Sequence, residues 1–296
     1  MSKRLLITGI SGFLGWNITR LKPKDWEIHG VYNTHHVSVP GVNTIQTDLT
    51  GAEVLNELFR KVQPEAVIHA AAVSSPNECE NDPEGARRIN IDASIAIAEL
   101  CLESSIPLVF TSTDLVFDGE SPPYAENTAP NPINIYGKHK AEAEQAIASQ
   151  NPDALIVRLP LMFGDPGPAS SNFYQYMRNQ LEKGKSLTLF SDEHRTMLSG
   201  MAAARGIFQL LGKASGVVHL PGPESVSRYE FGRILAEVFG FPEELIEPVS
   251  QRSTDHVAAR PGDVSLQSHR AHQLGFNPPP LSEQLRECRI LESLTG

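Results

Sequence analysis

Tyr136 and Lys140 stand four residues apart in Tyr136-Gly137-Lys138-His139-Lys140, so on a helix their side chains share one face. A phenol beside an ammonium is a proton-transfer pair. Tyrosine ordinarily titrates at about 10, and a neighbouring cation stabilises the phenolate and brings it toward the working range. Upstream, Phe110-Thr111-Ser112-Thr113-Asp114-Leu115-Val116-Phe117 closes an apolar run with hydroxyls that can hydrogen-bond a substrate carbonyl, with Thr113 and Ser112 as rivals for that role. Near the start of the chain, Thr8-Gly9-Ile10-Ser11-Gly12-Phe13-Leu14-Gly15 spaces its glycines three apart. One glycine permits a tight turn, one lets the backbone approach a pyrophosphate, and one lets a helix pack on a strand. The N–H groups at that helix start would hold the phosphates, so a chain of net charge −10 needs no lysine there.

Two later segments suit the same dinucleotide. Asp48-Leu49 could take the adenine amino group, and Ala70-Ala71-Ala72 lets the backbone pass close to a ribose. The second strand ends in Tyr32-Asn33-Thr34-His35-His36, where a site that prefers NAD places a carboxylate for the ribose hydroxyls. None is there, which tilts the expectation to NADP, with NAD as the alternative.

The elements that must position these groups follow from periodicity. Short apolar runs at 5–8, 28–32, 44–46, 66–69, 108–112 and 155–158 alternate with helix-period stretches, as in a parallel sheet covered on both faces. The spacing predicts helices at 54–62, after a capping box at Thr50 and Glu53, and over 83–104 and 136–148. After Arg158 the Gly/Pro/Ser run 164–172 interrupts the alternation. Helices are then expected at 173–183, 201–211 and 228–239, the last behind a second capping box, Ser227 and Glu230. A polar turn at 277–280 precedes a short terminal helix. The fold class is therefore α/β, a Rossmann-type doubly wound parallel sheet over 1–158 with a smaller C-terminal α+β substrate lobe over 159–296, from which a segment near 197–222 returns to the first domain.

At this point the chain resembles the extended short-chain dehydrogenase/reductase superfamily, whose fingerprint joins the glycine turn, a Ser/Thr strand end and YxxxK. Ser112-Thr113-Asp114-Leu115-Val116-Phe117-Asp118-Gly119, Asn90-Ile91-Asp92-Ala93 and Ile133-Asn134-Ile135-Tyr136-Gly137-Lys138-His139-Lys140 look most like the dTDP-4-dehydrorhamnose reductases, which reduce the 4-keto group of a nucleotide-linked deoxysugar. The resemblance implies that Thr113 orients the carbonyl, Tyr136 donates the proton, and Lys140 lowers the tyrosine's pKa and holds the cofactor ribose. It leaves Gly9, Ser11, Gly12, Phe13, Leu14, Gly15, Asp48, Leu49, Ala70, Ala71 and Ala72 to the cofactor, and Ser74, Thr113, Leu161, Arg195 and Arg260 to the substrate, the two arginines for its pyrophosphate. Two departures matter. Related dehydratases carry an Asp-Glu pair after the Thr, and Asp114-Leu115 lacks the second acid, so dehydration loses its partner. Leu161 stands where these reductases often place a sugar-contacting Trp. Beside the reductase stand a nucleotide-sugar epimerase and an NADP-binding regulatory subunit like the β subunit of methionine adenosyltransferase.

Composition narrows the classes. The 296 residues carry 25 Lys and Arg against 35 Asp and Glu with no basic cluster, so nucleic acid is not an expected partner. No apolar run approaches the roughly 20 residues of a membrane span, and the opening lacks a signal-peptide core, which makes a cytoplasmic, membrane-free protein the expectation. Cys79, Cys101 and Cys288 are far apart and read as reduced thiols, and the histidines have no chelating interval, so no metal is expected. His69, ending a strand, is expected to be a packed, hydrogen-bonded residue. A homodimer is the ordinary prior for such a protein.

Overall fold

The computed structural model describes residues 2–21, 23–254 and 257–293. The chain runs β1 (Lys3–Thr8), α1 (Phe13–Leu21), β2 (Trp26–Tyr32), β3 (Val42–Gln46), α2 (Ala52–Val62), β4 (Ala66–His69), α3 (Pro76–Asn81), α4 (Pro83–Arg87), α5 (Ala93–Glu103), β5 (Leu108–Thr113), α6 (Ile135–Gln150) and β6 (Leu155–Leu159). It continues through β7 (Met162–Phe163), α7 (Phe173–Leu181), β8 (Leu187–Phe190), β9 (His194–Arg195), β10 (Leu198–Ser199), α8 (Gly200–Leu210), β11 (Gly216–His219), β12 (Val226–Ser227), α9 (Arg228–Phe239), β13 (Ile246–Val249), α10 (His269–Gln273) and α11 (Leu281–Ser293).

Seven strands form one parallel sheet in the order β3-β2-β1-β4-β5-β6-β11. The first six follow the doubly wound order, in which the chain reverses direction across the sheet at β1 and leaves a crevice there. β4 and β5 are buried at every position, as strands covered on both faces must be. Leu14, Ile18, Ala203 and Ile207 of α1 and α8 cover one face, and Leu55, Phe59, Ile97, Ala143 and Ile147 of α2, α5 and α6 cover the other. Each Leu, Ile or Phe side chain so removed from water contributes about 1.5–3 kcal/mol. A separate core of Phe163, Tyr174, Phe231, Leu235 and Leu285 joins α7, α9 and α11 to the short strands that pair as β8 with β13, β9 with β12 and β7 with β10. After β6 the chain therefore does not stay in one lobe: α8 packs on the main sheet and β11 extends it beside β6. Among the described residues no helix is long and apolar enough to cross a membrane.

The expected strands all form, with β3 starting at Val42 because Val42 pairs with Ile28. Two helix expectations are corrected. Thr50 does not cap α2, whose N-cap is Gly51; instead its N–H and hydroxyl both donate to Asp48 Oδ1, at 3.0 and 2.9 Å. The stretch 83–104 is not one regular helix, because a wide π-type turn, Arg88–Asp92, separates α4 from α5. That turn buries Asn90, whose carboxamide accepts the Val73 N–H at 2.8 Å and donates to the Val73 carbonyl at 3.0 Å. The second capping box forms as expected: the Glu230 N–H donates to Ser227 Oγ at 3.1 Å, and the Ser227 N–H donates to Glu230 at 2.7 Å.

Candidate active site

The carboxyl ends of the central strands open onto a cleft of about 720 Å³, the place where open α/β sheets bind ligands. Gly9, Ser11, Gly12, Phe13, Leu14 and Gly15 line one wall, and Asp48, Leu49, Ala70, Ala71, Ala72 and Ser74 line the other. Gly9 has φ +75, and a Cβ there would lie 2.7 Å from the Cα of Ala71. A Cβ on Gly15 would lie 2.2 Å from the Gly9 carbonyl oxygen. Around Gly12 the nearest atom is that same oxygen at 3.4 Å, so its backbone stands open to the cleft. The first turn of α1 brings N–H groups without intrahelical partners to this wall. These features fit a dinucleotide whose phosphates are held by backbone and helix dipole.

One buried chain of bonds ties the walls together. The Thr8 hydroxyl meets His69 Nδ1 at 2.6 Å and accepts the Ala70 and Ala71 N–H groups at 3.2 Å each. His69 Nε2 lies 2.9 Å from Ser94 Oγ, and Ser94 donates to the Asn90 carbonyl at 2.9 Å. Because the Ser94 hydrogen is spent on Asn90, His69 donates from Nε2 and accepts at Nδ1. Burial, then the Lys140 charge, pushes its pKa down to about 3, which keeps the ring neutral. His69 is thus the packed, hydrogen-bonded residue its position suggested. Beyond β2, Asn33, Thr34 and His35 line the cleft with no carboxylate among them, and Thr34 Oγ1 lies 3.1 Å from His35 Nδ1.

At the other end, Tyr136 and Lys140 of α6 face Thr111 and Ser112 of β5 across the cleft. Asn134 caps α6 by accepting the Gly137 N–H at 2.8 Å, which fixes where the helix starts and so which face carries the pair. Lys140 is 2% exposed with Nζ over the Phe110 ring, and burial lowers its pKa to about 7 against the opposing pull of Glu144. The expected lowering of Tyr136 by Lys140 is corrected. Burial raises the phenol, Cys79 and Asp114 add to the rise, and the Thr113 hydroxyl is the group that eases it down. A lysine itself half-discharged by burial offers little field to its neighbour. Of the two rival hydroxyls, Ser112 Oγ is buried with no hydrogen-bond partner among the described residues. Thr113 is outside the cleft lining, donating to Asp114 Oδ1 and accepting the Leu115 N–H, both at 3.2 Å.

The remaining substrate candidates are scattered. Leu161 packs half-buried on the C-terminal core, away from the cleft lining. Arg195 is buried and donates to the carbonyls of His194 at 2.6 Å, Gly262 at 3.0 Å and Pro261 at 3.1 Å, so it clamps the turn that carries Arg260 rather than offering a free fork. Arg260 is exposed and lines a second cleft of about 480 Å³ with Asp118, Asp192 and Arg252. Sequence reasoning missed Arg228, whose guanidinium stacks 4.2 Å over Phe173 with Nη1 buried and without a hydrogen-bond partner among the described residues. Its signal was an arginine at the first position of a helix whose capping box was recognised. Ala169, Ser170 and Ser171 of the Gly/Pro/Ser run were also missed, and they line the cleft beside Met162.

The chain is similar to proteins that share this architecture throughout. It is 33% identical to a probable low-salt glycan biosynthesis reductase of Haloferax volcanii, over 94% of this chain and 95% of that one. It is 29% identical to methionine adenosyltransferase 2 subunit beta of Danio rerio, over 93% and 86%. The crystal structure of dTDP-4-dehydrorhamnose reductase from Bacillus anthracis in complex with NADP superposes with a TM-score of 0.87 at 25% identity, covering 98% of this chain and 99% of that one. Residues 3–292 match the family model of the RmlD substrate binding domain. The chain therefore belongs to the RmlD substrate binding domain family of the extended short-chain dehydrogenase/reductases.

Proposed function

We propose that this chain is an NADP-preferring reductase of the 4-keto group of a nucleotide-linked deoxysugar, with a dTDP-4-dehydrorhamnose as the first substrate to test. The observation that carries this reading is the placement of Tyr136 and Lys140 against the hydroxyl-bearing end of β5, in the same cleft that Gly9, Gly12 and Gly15 open to a dinucleotide. When bound, the nicotinamide supplies hydride to the carbonyl carbon. Tyr136 Oη gives the carbonyl oxygen its proton, and Ser112 or Thr113 orients that oxygen. Lys140, poised at about 7, holds the ribose side of the cleft. Arg260 and Arg228 provide the cations for the substrate's diphosphate, with Arg195 holding the Arg260 turn in place. Missing carboxylates after β2 support NADP over NAD.

The deciding assay mixes the protein with NADPH, or separately NADH, and enzymatically generated dTDP-4-dehydro-L-rhamnose, following nicotinamide absorbance with Tyr136→Phe as control. Oxidation lost in the variant supports the reading. A second reading, a regulatory NADP-binding subunit, is favoured by the 29% identity to methionine adenosyltransferase 2 subunit beta. NADP binding with no turnover of any nucleotide sugar, and a stoichiometric partner recovered by pull-down, would put that reading first.

A further inference from the structure

The Gly/Pro/Ser run between β7 and α7, residues 164–172, is closed on itself and fastened to α1. Asn172 joins its two ends: the carboxamide donates to the Gly164 carbonyl at 2.9 Å and, as the N-cap of α7, accepts the Gln175 N–H at 2.9 Å. Asp165 is the fastening. Its Oδ2 accepts Trp16 Nε1 at 3.1 Å and Arg20 Nη1 at 2.5 Å, and its Oδ1 accepts the Gly167 N–H at 2.9 Å. Its backbone carbonyl accepts the carboxamide of the buried Asn17 at 3.0 Å. Trp16, Asn17 and Arg20 all belong to α1, the helix whose first turn forms the phosphate wall. Gly167, at φ +74, lies against the Trp16 indole, and a Cβ there would stand 2.6 Å from Trp16 Cγ.

From that anchorage the loop reaches the cleft, where Ala169, Ser170 and Ser171 join Leu159 and Met162 in the lining. The Ser170 hydroxyl is used inside the loop, on the Pro166 carbonyl, whereas Ser171 is exposed. β6 lies on the opposite half of the sheet from β2 and β3, with β1 and its glycine turn between them. Asn33, Thr34 and Asp48 therefore line one end of the cleft, and the loop lies toward the end that holds Tyr136 and Lys140. A dinucleotide with its adenosine at Asp48 directs its nicotinamide half to the loop. We propose that residues 164–172 are a strap over the nicotinamide half of the bound dinucleotide, latched to α1 by Asp165, so that the cofactor leaves when the latch opens. Arg20 also neutralises the only carboxylate of the run, so an anionic ligand meets an uncharged strap. Because the latch grips α1 and not the ligand, opening it acts chiefly on the rate of release. The strap rests on the dinucleotide reading of the cleft and not on turnover.

The test is the dissociation rate of NADPH from the full chain, followed by nicotinamide fluorescence after displacement with excess NADP. Asp165→Ala removes the side-chain fastenings and should speed release at least about tenfold. Gly167→Ala pushes the loop off Trp16 while keeping Asp165; it should speed release in the same way, and it decides the question if the first variant does not fold. Adenosine 2′,5′-bisphosphate probes the far end of the cleft, and by calorimetry it should bind both variants within about twofold of wild type. Release at the wild-type rate from the folded variants overturns the strap. A loss of bisphosphate affinity in step with NADPH also overturns it, since the α1 wall itself would then be disturbed. If the wild type binds neither NADPH nor the bisphosphate, the dinucleotide reading falls and the strap with it; if it binds both and release is unchanged in the variants, the strap alone falls.

Discussion

The Lys140 ammonium nitrogen lies 4.0 Å from the centroid of the Phe110 ring, inside the layer between α6 and the sheet. Its pKa falls from the ordinary 10.5 to about 7 on folding. Between those values the unfolded chain binds the proton and the native chain does not, so stability rises with pH across that window and is lowest below pH 7. Lys140→Met abolishes this dependence. Urea denaturation of the dinucleotide-free protein at pH 6.5 and 9.5 should show the Met variant ahead by a margin that shrinks by up to ~1.4 kcal/mol per pH unit on going up. A margin independent of pH would refute it.

Gly12 and Gly15 separate in their tolerance of alanine. Gly15→Ala places a methyl 2.2 Å from a backbone oxygen that cannot move aside, so the β1–α1 packing itself is lost, at a cost of about 3 kcal/mol or more. Gly12→Ala meets nothing nearer than 3.4 Å and should fold normally, while NADP affinity drops at least about tenfold because the methyl occupies the phosphate approach. Thermal melts paired with calorimetry distinguish the two. Equal losses of stability in both variants would contradict the assignment.

Tyr136→Phe keeps the packing of a buried ring and removes one hydroxyl. Turnover should fall by about 10²–10⁴ with NADP affinity within a few-fold of wild type, the range expected for loss of a general acid. Single-turnover oxidation of NADPH is the measurement, and an undiminished rate rules out the phenol as proton donor.

Cofactor choice should be adjustable at the end of β2. Asn33→Asp introduces the missing carboxylate where the cleft lining passes Asn33, Thr34 and His35. The ratio of NADP to NAD affinity should fall by about tenfold or more, since the new charge repels a 2′-phosphate and grips ribose hydroxyls. Calorimetric titration with both dinucleotides reads it directly, and an unchanged ratio places the discriminating contact elsewhere.

Arg158 and Glu144, 3% and 5% exposed and 2.7 Å apart, form a buried pair that also engages His219. Glu144→Gln leaves the guanidinium uncompensated and should cost about 3–5 kcal/mol, while the double change Glu144→Leu with Arg158→Met should restore much of that loss. Denaturant midpoints for the set check it, and a double variant no better than the single one would show that the pair is not the cause.

Much of this molecule was legible in the linear chain because the relevant physics is local. Strand runs of Val, Ile and Leu, glycines spaced three apart and a Tyr-Lys pair four apart each impose their geometry within a few residues, and each formed where the spacing predicted. Arg158 marked the end of the regular alternation and a segment near 197–222 was expected to return to the first domain, but that it returns as β11 paired beside β6, about 60 residues away, has no local mark and is decided by the folded chain. The same holds for the interruption of the 83–104 helix, where Asn90 reaches back to Val73. Tertiary structure also decided the electrostatics. Spacing placed Lys140 beside Tyr136, but the charge each carries depends on burial, and burial is set by β5, α6 and Phe110 together. Arg195 reads in sequence as a cation for the substrate's pyrophosphate and Arg228 carries no such mark; the fold spends the first on the Pro261-Gly262 carbonyls and leaves the second partly unpaired against Phe173, because hydrogen-bond partners are assigned by segments that meet only in three dimensions.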